Sequence, residues 1–188
     1  DKEKTPPPYR VDKSVIYPAS VTGASLENLK DAVRAAVRLV GITEGVAHVE
    51  LCTTAQGPYV FELGARCGGG GTPQPICPWV CGVEELGEAV RLALGQPPKN
   101  LKAKWERGCV YRFLTPSKTG KLLAVDGFDE IKKWPGILDV NITTSIGDEV
   151  RPVRSGHDRA GFIIAGAETR SQAIALADRA ENELKFVF

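Results

Sequence analysis

The chain has 188 residues, 43% of them hydrophobic and 25% charged, and its 24 basic and 23 acidic residues leave a formal charge of +1. This composition is that of a folded protein rather than a disordered tail, and the near-neutral balance argues against nucleic acid as the main partner. No apolar run reaches the roughly 18–20 residues of a membrane span, and no apolar stretch follows Asp1-Lys2-Glu3-Lys4-Thr5-Pro6-Pro7-Pro8 to make a signal peptide. Five cysteines is an odd number and no spacing among them matches a zinc site, so reduced thiols in the cytoplasm are expected. Cys77 and Cys81 have three residues between them instead of two and read as buried thiols rather than a redox motif. The sequence contains no methionine, and Asp1 is not the small residue that initiator removal needs. A piece of a longer protein is expected.

In chain order, Pro6, Pro7 and Pro8 exclude helix from the first dozen residues, which read as an extended strand. Ser25 is a suitable N-cap for a helix running to about Val40, with Gly41 beyond its end. Leu26, Leu29, Val33, Val37 and Val40 form its apolar stripe, and Lys30, Arg34 and Arg38 a basic one that reads as a solvated face. Two strands follow, about Val46–Thr53 and Tyr59–Leu63, joined through Ala55-Gln56-Gly57-Pro58. Alternation assigns Ala47, Val49, Leu51, Tyr59, Phe61 and Leu63 to the core side. A second helix is predicted over Gly82–Leu94, with Val83, Leu86, Val90 and Leu94 inward and Gly95, Pro97 and Pro98 as its stop. The stretch around Lys99-Asn100 is the best domain boundary, dividing residues 1–98 from 99–188. Beyond it, strands are predicted near Cys109–Leu114, Lys121–Val125, Ile137–Thr144 and Gly161–Ala165, with helices around Phe128–Lys133 and Thr169–Leu184. The fold class is α+β.

The chemistry concentrates in the hairpin. A turn centred on Gln56 pairs residues whose numbers sum to 112, so Glu50 sits opposite Glu62 on one face. Like charges placed directly opposite destabilise a sheet, whereas a divalent cation between them reverses the sign. Magnesium fits best, because it takes oxygen ligands and retains waters and substrate phosphates. A polar outer face neutralised by nearby lysines is the alternative. Arg66 follows four residues after Glu62 and offers a planar fork of donors to phosphate oxygens. Gly68, Gly69, Gly70 and Gly71 then let backbone N–H groups approach a ligand. His48 shares the strand face with Glu50, as a partner standing behind it, as a substrate contact or as a plain hydrogen-bonded strand histidine. A cysteine–histidine pair using Cys52 or Cys67 with His48 or His157 stays open, although no nucleophile elbow is present.

The segment Ala47-His48-Val49-Glu50, followed after a turn by Tyr59-Val60-Phe61-Glu62-Leu63-Gly64-Ala65-Arg66-Cys67-Gly68-Gly69-Gly70-Gly71, resembles the C-terminal half of an ATP-grasp domain. It is most similar to the carboxylate–amine ligases that include the L-amino-acid ligases. Lys4-Thr5-Pro6-Pro7-Pro8-Tyr9 resembles the segment after that family's hinge, and Gly120-Lys121-Leu122 and Asp158-Arg159-Ala160-Gly161 resemble its small C-terminal subdomain. The resemblance implies an ATP-grasp C-terminal lobe, an antiparallel sheet with helices, followed by a small mixed subdomain. It implies ATP as cofactor with Mg2+, Mn2+ being possible in its place, held by Glu50 and Glu62. It further implies Arg66 on the transferred phosphate and Gly68–Gly71 beside the substrate. Small-molecule carboxylate and amine substrates, an acyl-phosphate intermediate and a preceding N-terminal part of the same protein belong to the same expectation. Where many members carry a further metal-binding asparagine, two residues after the second acid, this chain has Gly64. A non-catalytic binding or assembly module derived from the same fold is the alternative.

Overall fold

The computed structural model describes residues 1–188. In chain order its elements are β1 (Lys2–Lys4), β2 (Asp12–Tyr17), α1 (Gly23–Leu39), β3 (His48–Thr54), β4 (Gly57–Gly64), α2 (Cys77–Cys81) and α3 (Glu85–Ala93). They continue with β5 (Gly108–Leu114), β6 (Gly120–Lys121), β7 (Ala124–Asp126), α4 (Phe128–Ile131), β8 (Ile137–Ile142), β9 (Glu149–Val150), β10 (Gly161–Ala167), α5 (Arg170–Glu183) and β11 (Lys185–Val187). The chain forms two compact units. The sheet unit comprises Asp1–Ala19, Trp79–Cys81 and Lys104–Phe188, and the hairpin unit comprises Ser20–Pro78 and Gly82–Ala103. One border between the units falls at Ala103. The first nineteen residues, however, group with the C-terminal part, because β1 and β2 extend its sheet.

That sheet is antiparallel throughout, in the order β1-β2-β5-β10-β8. Alternation along β5 sends Val110 and Leu114 to one face, where with Ile16, Val140, Ile163 and Ala165 they form the core beneath α5. The helix meets this face through Ala173, Ala177 and Ala180, all fully buried, and side chains this small let it lie close to the strands. Thr169 caps it, accepting from the Gln172 backbone N–H while the Gln172 side chain returns to the Thr169 N–H. Arg112 lies between Val110 and Leu114 and is buried, its guanidinium donating to Asp178 at 2.6 Å and Glu181 at 2.9 Å on α5. The other face carries Tyr111, Phe113 and Phe162, whose rings pack at 4.5 and 5.4 Å. The Trp79 ring lies against Gly166, where a β-carbon would come within 2.6 Å of it, and its Nε1 donates to the carbonyl of Gly108.

In the hairpin unit α1 packs on β3 and β4. It begins at Gly23 with Thr22 in the capping position, three residues before the expected cap at Ser25, and its stripe is half-buried with Val40 left exposed. Lys30 pairs with Glu27 and Arg34 with Asp31, so these two basic residues are solvated, as their spacing suggested. Gly41 and Gly95, both at positive φ, end α1 and α3 as expected.

Two packing expectations fail in this unit. Tyr59 and Phe61 are 63% and 56% exposed. A register shift after Glu50 leaves Phe61 as an extra residue, so Leu51 pairs with Val60 and the facing of the turn-side half is reversed. In α3, Leu86, Val90 and Leu94 are exposed and Glu88 is buried instead. The Glu88 carboxylate accepts the backbone N–H groups of Lys99 and Asn100, which holds the returning chain and turns the acidic side of the helix inward.

Candidate functional site

Register places the two acids. Glu50 is the direct cross-strand partner of Glu62, flanked by Val49 opposite Leu63 and His48 opposite Gly64, all with numbers summing to 112. Direct partners share a face with Cβ atoms about 4.5–5.5 Å apart. Both carboxylates keep access to solvent, with side-chain exposures of 23% for Glu50 and 52% for Glu62. Each has a nearby nitrogen partner: His48 Nε2 lies 3.4 Å from Glu50 Oε1, and Arg66 Nη2 donates to Glu62 Oε1 at 3.3 Å.

Beyond the strand end the chain folds back. The Arg66 N–H donates to the carbonyl of Gly64, and Arg66 Nη1 to that of Cys67. A β-carbon at Gly64 would stand 3.3 Å from Cγ and Nε of Arg66. The position where the resemblance expects an asparagine therefore serves here as the space over which Arg66 lies. Sequence reading saw only a missing ligand at Gly64.

The four glycines are not equivalent. Gly68 is wedged between side chains, since a β-carbon there would meet Thr72 Cγ2 at 2.9 Å and His48 Nδ1 at 3.2 Å. His48 thus touches Glu50 with one ring nitrogen and backs onto Gly68 with the other. Gly69 faces open space, and Gly70 takes a positive φ of 58° as the chain turns toward Thr72. Cys67 and Cys77 both meet Glu85. Cys77 Sγ donates to Glu85 Oε2 at 3.2 Å, and burial first, then the Glu85 hydrogen bond and charge, push the Cys67 thiol up. A raised thiol partnered by a carboxylate is the reverse of what a cysteine nucleophile needs. None of the five cysteines forms a disulfide.

The donor set fits a hard divalent cation such as magnesium. It is oxygen-only, and two facing carboxylates leave most of a six-oxygen shell to water and phosphate. No group of three or more His, Cys, Asp or Glu side chains converges to hold an ion anywhere in the chain, the hairpin included, so two carboxylates are all that the protein offers here.

Residues 112–188 match the family model described as L-amino acid ligase C-terminal domain 2. A protein of Sinorhizobium fredii (strain NBRC 101917 / NGR234), described as the uncharacterized protein y4rH, is 32% identical over 184 residues. That alignment covers 97% of this chain and 38% of the relative. Among solved structures, the L-amino acid ligase from Bacillus licheniformis superposes with a TM-score of 0.83 at 23% identity, covering 94% of this chain and 44% of that one. Phosphoribosylglycinamide synthetase from Anaerococcus prevotii gives a TM-score of 0.85 at 19% identity, covering all of this chain and 48% of that one. The chain spans less than half the length of each of these proteins. No helix is long and apolar enough to cross a membrane.

Proposed function

For a chain with the fold of the C-terminal half of an ATP-grasp ligase, carrying the L-amino acid ligase C-terminal domain 2 over residues 112–188, we propose a part in ATP- and Mg2+-dependent joining of a carboxylate, that of an amino acid, to an amine. The observation that carries this reading is the facing pair Glu50 and Glu62 with Arg66 folded over Gly64 onto the second acid. In the proposed reaction a carboxylate oxygen attacks the γ-phosphorus of ATP, the bond to the β-phosphate oxygen breaks, and ADP leaves an acyl phosphate. The amine then attacks the acyl carbon, loses a proton, and expels inorganic phosphate. Glu50 and Glu62 would hold Mg2+, which when bound supplies positive charge to the phosphate oxygens. Arg66 would release Glu62 and turn its fork to the transferred phosphoryl group, where an arginine offsets transition-state charge.

His48 would hold Glu50 in position rather than react. Gly68 would set the loop by packing, which leaves Gly69, Gly70 and Gly71 to approach the substrate. Five cysteines without a disulfide would suit a reducing, cytoplasmic setting. An N-terminal portion of the same protein would complete the nucleotide cleft, and small-molecule carboxylates and amines would be the ligands.

The test is phosphate release coupled to amide formation in the complete gene product, supplied with ATP, magnesium and mixtures of amino acids. Arg66→Ala should lower turnover by roughly 10³-fold or more while leaving the fold intact, because this side chain is 54% exposed. Wild-type turnover in that variant would remove Arg66 from the reaction.

A further inference from the structure

The sheet unit contains a polar cleft that the proposed ligation does not use. Its volume is about 590 Å³, and Thr143, Thr144, the β9 segment through Arg151, and His157–Arg159 form its walls. Two arginines in it are treated in opposite ways. Arg151 Nε and Nη2 each lie 2.9 Å from Asp158 Oδ1. The other oxygen of Asp158 accepts from the backbone N–H groups of Arg154 and Ser155 and from the Ser155 hydroxyl. That carboxylate is saturated, and these donors hold its pKa at about 2.

Arg159 has no carboxylate of its own. Its guanidinium lies over Phe113, 3.7 Å from the ring centroid, and Nη2 donates to the backbone carbonyl of Asp12 at 2.9 Å. The Asp12 carboxylate acts on it through space but is bound by Lys2 and Lys4. Nε is buried without a hydrogen-bond partner, and Nη1 is turned toward Gly156, where a β-carbon would stand 3.3 Å away. Gly156 lines a smaller recess beside the cleft, together with Thr143, His157 and Gly161.

A half-buried guanidinium without a counter-charge is unfavourable, because burial removes hydration and returns no ion pair. Here burial lowers the pKa of Arg159 accordingly. Stacking on Phe113 explains the orientation of Arg159, while Asp12 and Tyr111 act on its charge only through space and give it no ion pair. An anion in the cleft would compensate it, with Arg151 and His157 on the same wall. Asp148 and Glu149 also line the cleft, and their charge favours a compact anion held at Arg159 over an extended polyanion.

We propose that this cleft binds the oxyanion end of a small molecule, a carboxylate or a phosphate monoester, with Arg159 as the principal contact and Arg151 and His157 beside it. The site stands apart from the hairpin reading, since none of its residues belongs to the hairpin unit. Either proposal can fail alone.

The test is a titration of the chain with inorganic phosphate and, separately, acetate at constant ionic strength, followed through the backbone amide NMR signals of Gly156 and Gly161. Saturable shifts at these amides are expected with one of the two anions in the millimolar range, and none with chloride. Phosphate alone saturating assigns a phosphate ligand, and acetate alone a carboxylate. Arg159→Lys keeps the charge and loses the fork, so it should weaken binding by roughly tenfold, and Arg159→Gln should abolish it. If Arg159→Gln does not fold, the lysine variant decides. Absence of a saturable shift with either anion overturns the proposal, as does equal affinity in wild type and Arg159→Lys.

Discussion

Replacing Glu50 by glutamine should make the chain more stable in the absence of metal and less responsive to metal when it is added. Two unit charges about 6 Å apart repel by roughly 0.7 kcal/mol in water and about 3 kcal/mol at an effective dielectric of 20. The Glu62 side chain is 52% exposed and pairs with Arg66, so solvent and that guanidinium screen the repulsion toward the lower figure. Glutamine keeps an acceptor for His48 and removes the charge. A net gain of about 0.5–1 kcal/mol follows, equivalent to a few degrees of melting temperature. In thermal melts at low salt in EDTA, Glu50→Gln should melt above wild type, and added salt should narrow the difference by screening. In millimolar magnesium chloride wild type should rise and the variant hardly at all, so that the order of the two narrows or reverses. A variant that melts well below wild type in EDTA would show that Glu50 is a structural carboxylate. A variant that gains as much as wild type from magnesium would show that it is not a metal ligand.

Three further outcomes follow from the geometry. Gly68→Ala must displace the Thr72 methyl and crowd His48, at a cost of roughly 1–3 kcal/mol in chemical denaturation; adding Thr72→Ala should recover part of it, and full stability in the single variant would refute the packing. Cys67, its thiol raised by burial and by Glu85, should react with iodoacetamide more slowly than exposed Cys52 at pH 8; Glu85→Gln should speed it, with site-resolved mass spectrometry as the measure. Asp158 should titrate near pH 2 by carbon-13 NMR. Its folded pKa lies below the unfolded carboxylate value of about 3.9, so its stabilising contribution is complete above that value and is lost as pH falls through about 2. A midpoint near 4 would show that the hydrogen bonds donated to Asp158 by Arg151, Arg154 and Ser155 do not persist in solution.

Much of the site was legible because hairpin register is arithmetic. A turn centred on Gln56 opposes Glu50 and Glu62, as observed, but the turn-side pairs from Leu51–Val60 to Thr54–Gly57 sum to 111, so the turn lies half a residue earlier and the extra Phe61 restores the sum of 112 at the acids. The arithmetic fails at the next residue, because nothing in the local composition marks Phe61 as the extra residue of a bulge. Tyr59 and Phe61 then face out in spite of their apolar character. Periodicity found α3 but turned it the wrong way: Leu86, Val90 and Leu94 do form a stripe, yet Glu88 is needed inside as an acceptor for the backbone of Lys99 and Asn100. Such a demand comes from a segment eleven residues on, and no window on the helix contains it. In the sheet unit, β5, β10 and α5 were all visible in outline. Arg112 was not, since an arginine in a strand looks like a solvent-facing residue until the acids of a helix far along the chain are brought over it. Arg159 escaped for a related reason: its motif was seen, but its lack of a carboxylate is a property of the surroundings.

The bulge at Phe61 also divides the hairpin into two mechanically separate halves. A one-residue slip in a regular hairpin inverts every side chain down to its base. Here the change of register is absorbed between Glu50 and Leu51, which acts as a slip joint between the turn and the acidic pair. Turn variants of differing length at Ala55-Gln56 can therefore be accommodated by moving the joint, with Glu50 and Glu62 still opposed. The tip of this hairpin is the place where a tag, a fluorophore or a library of loops can be inserted with the least disturbance to the carboxylates at its base.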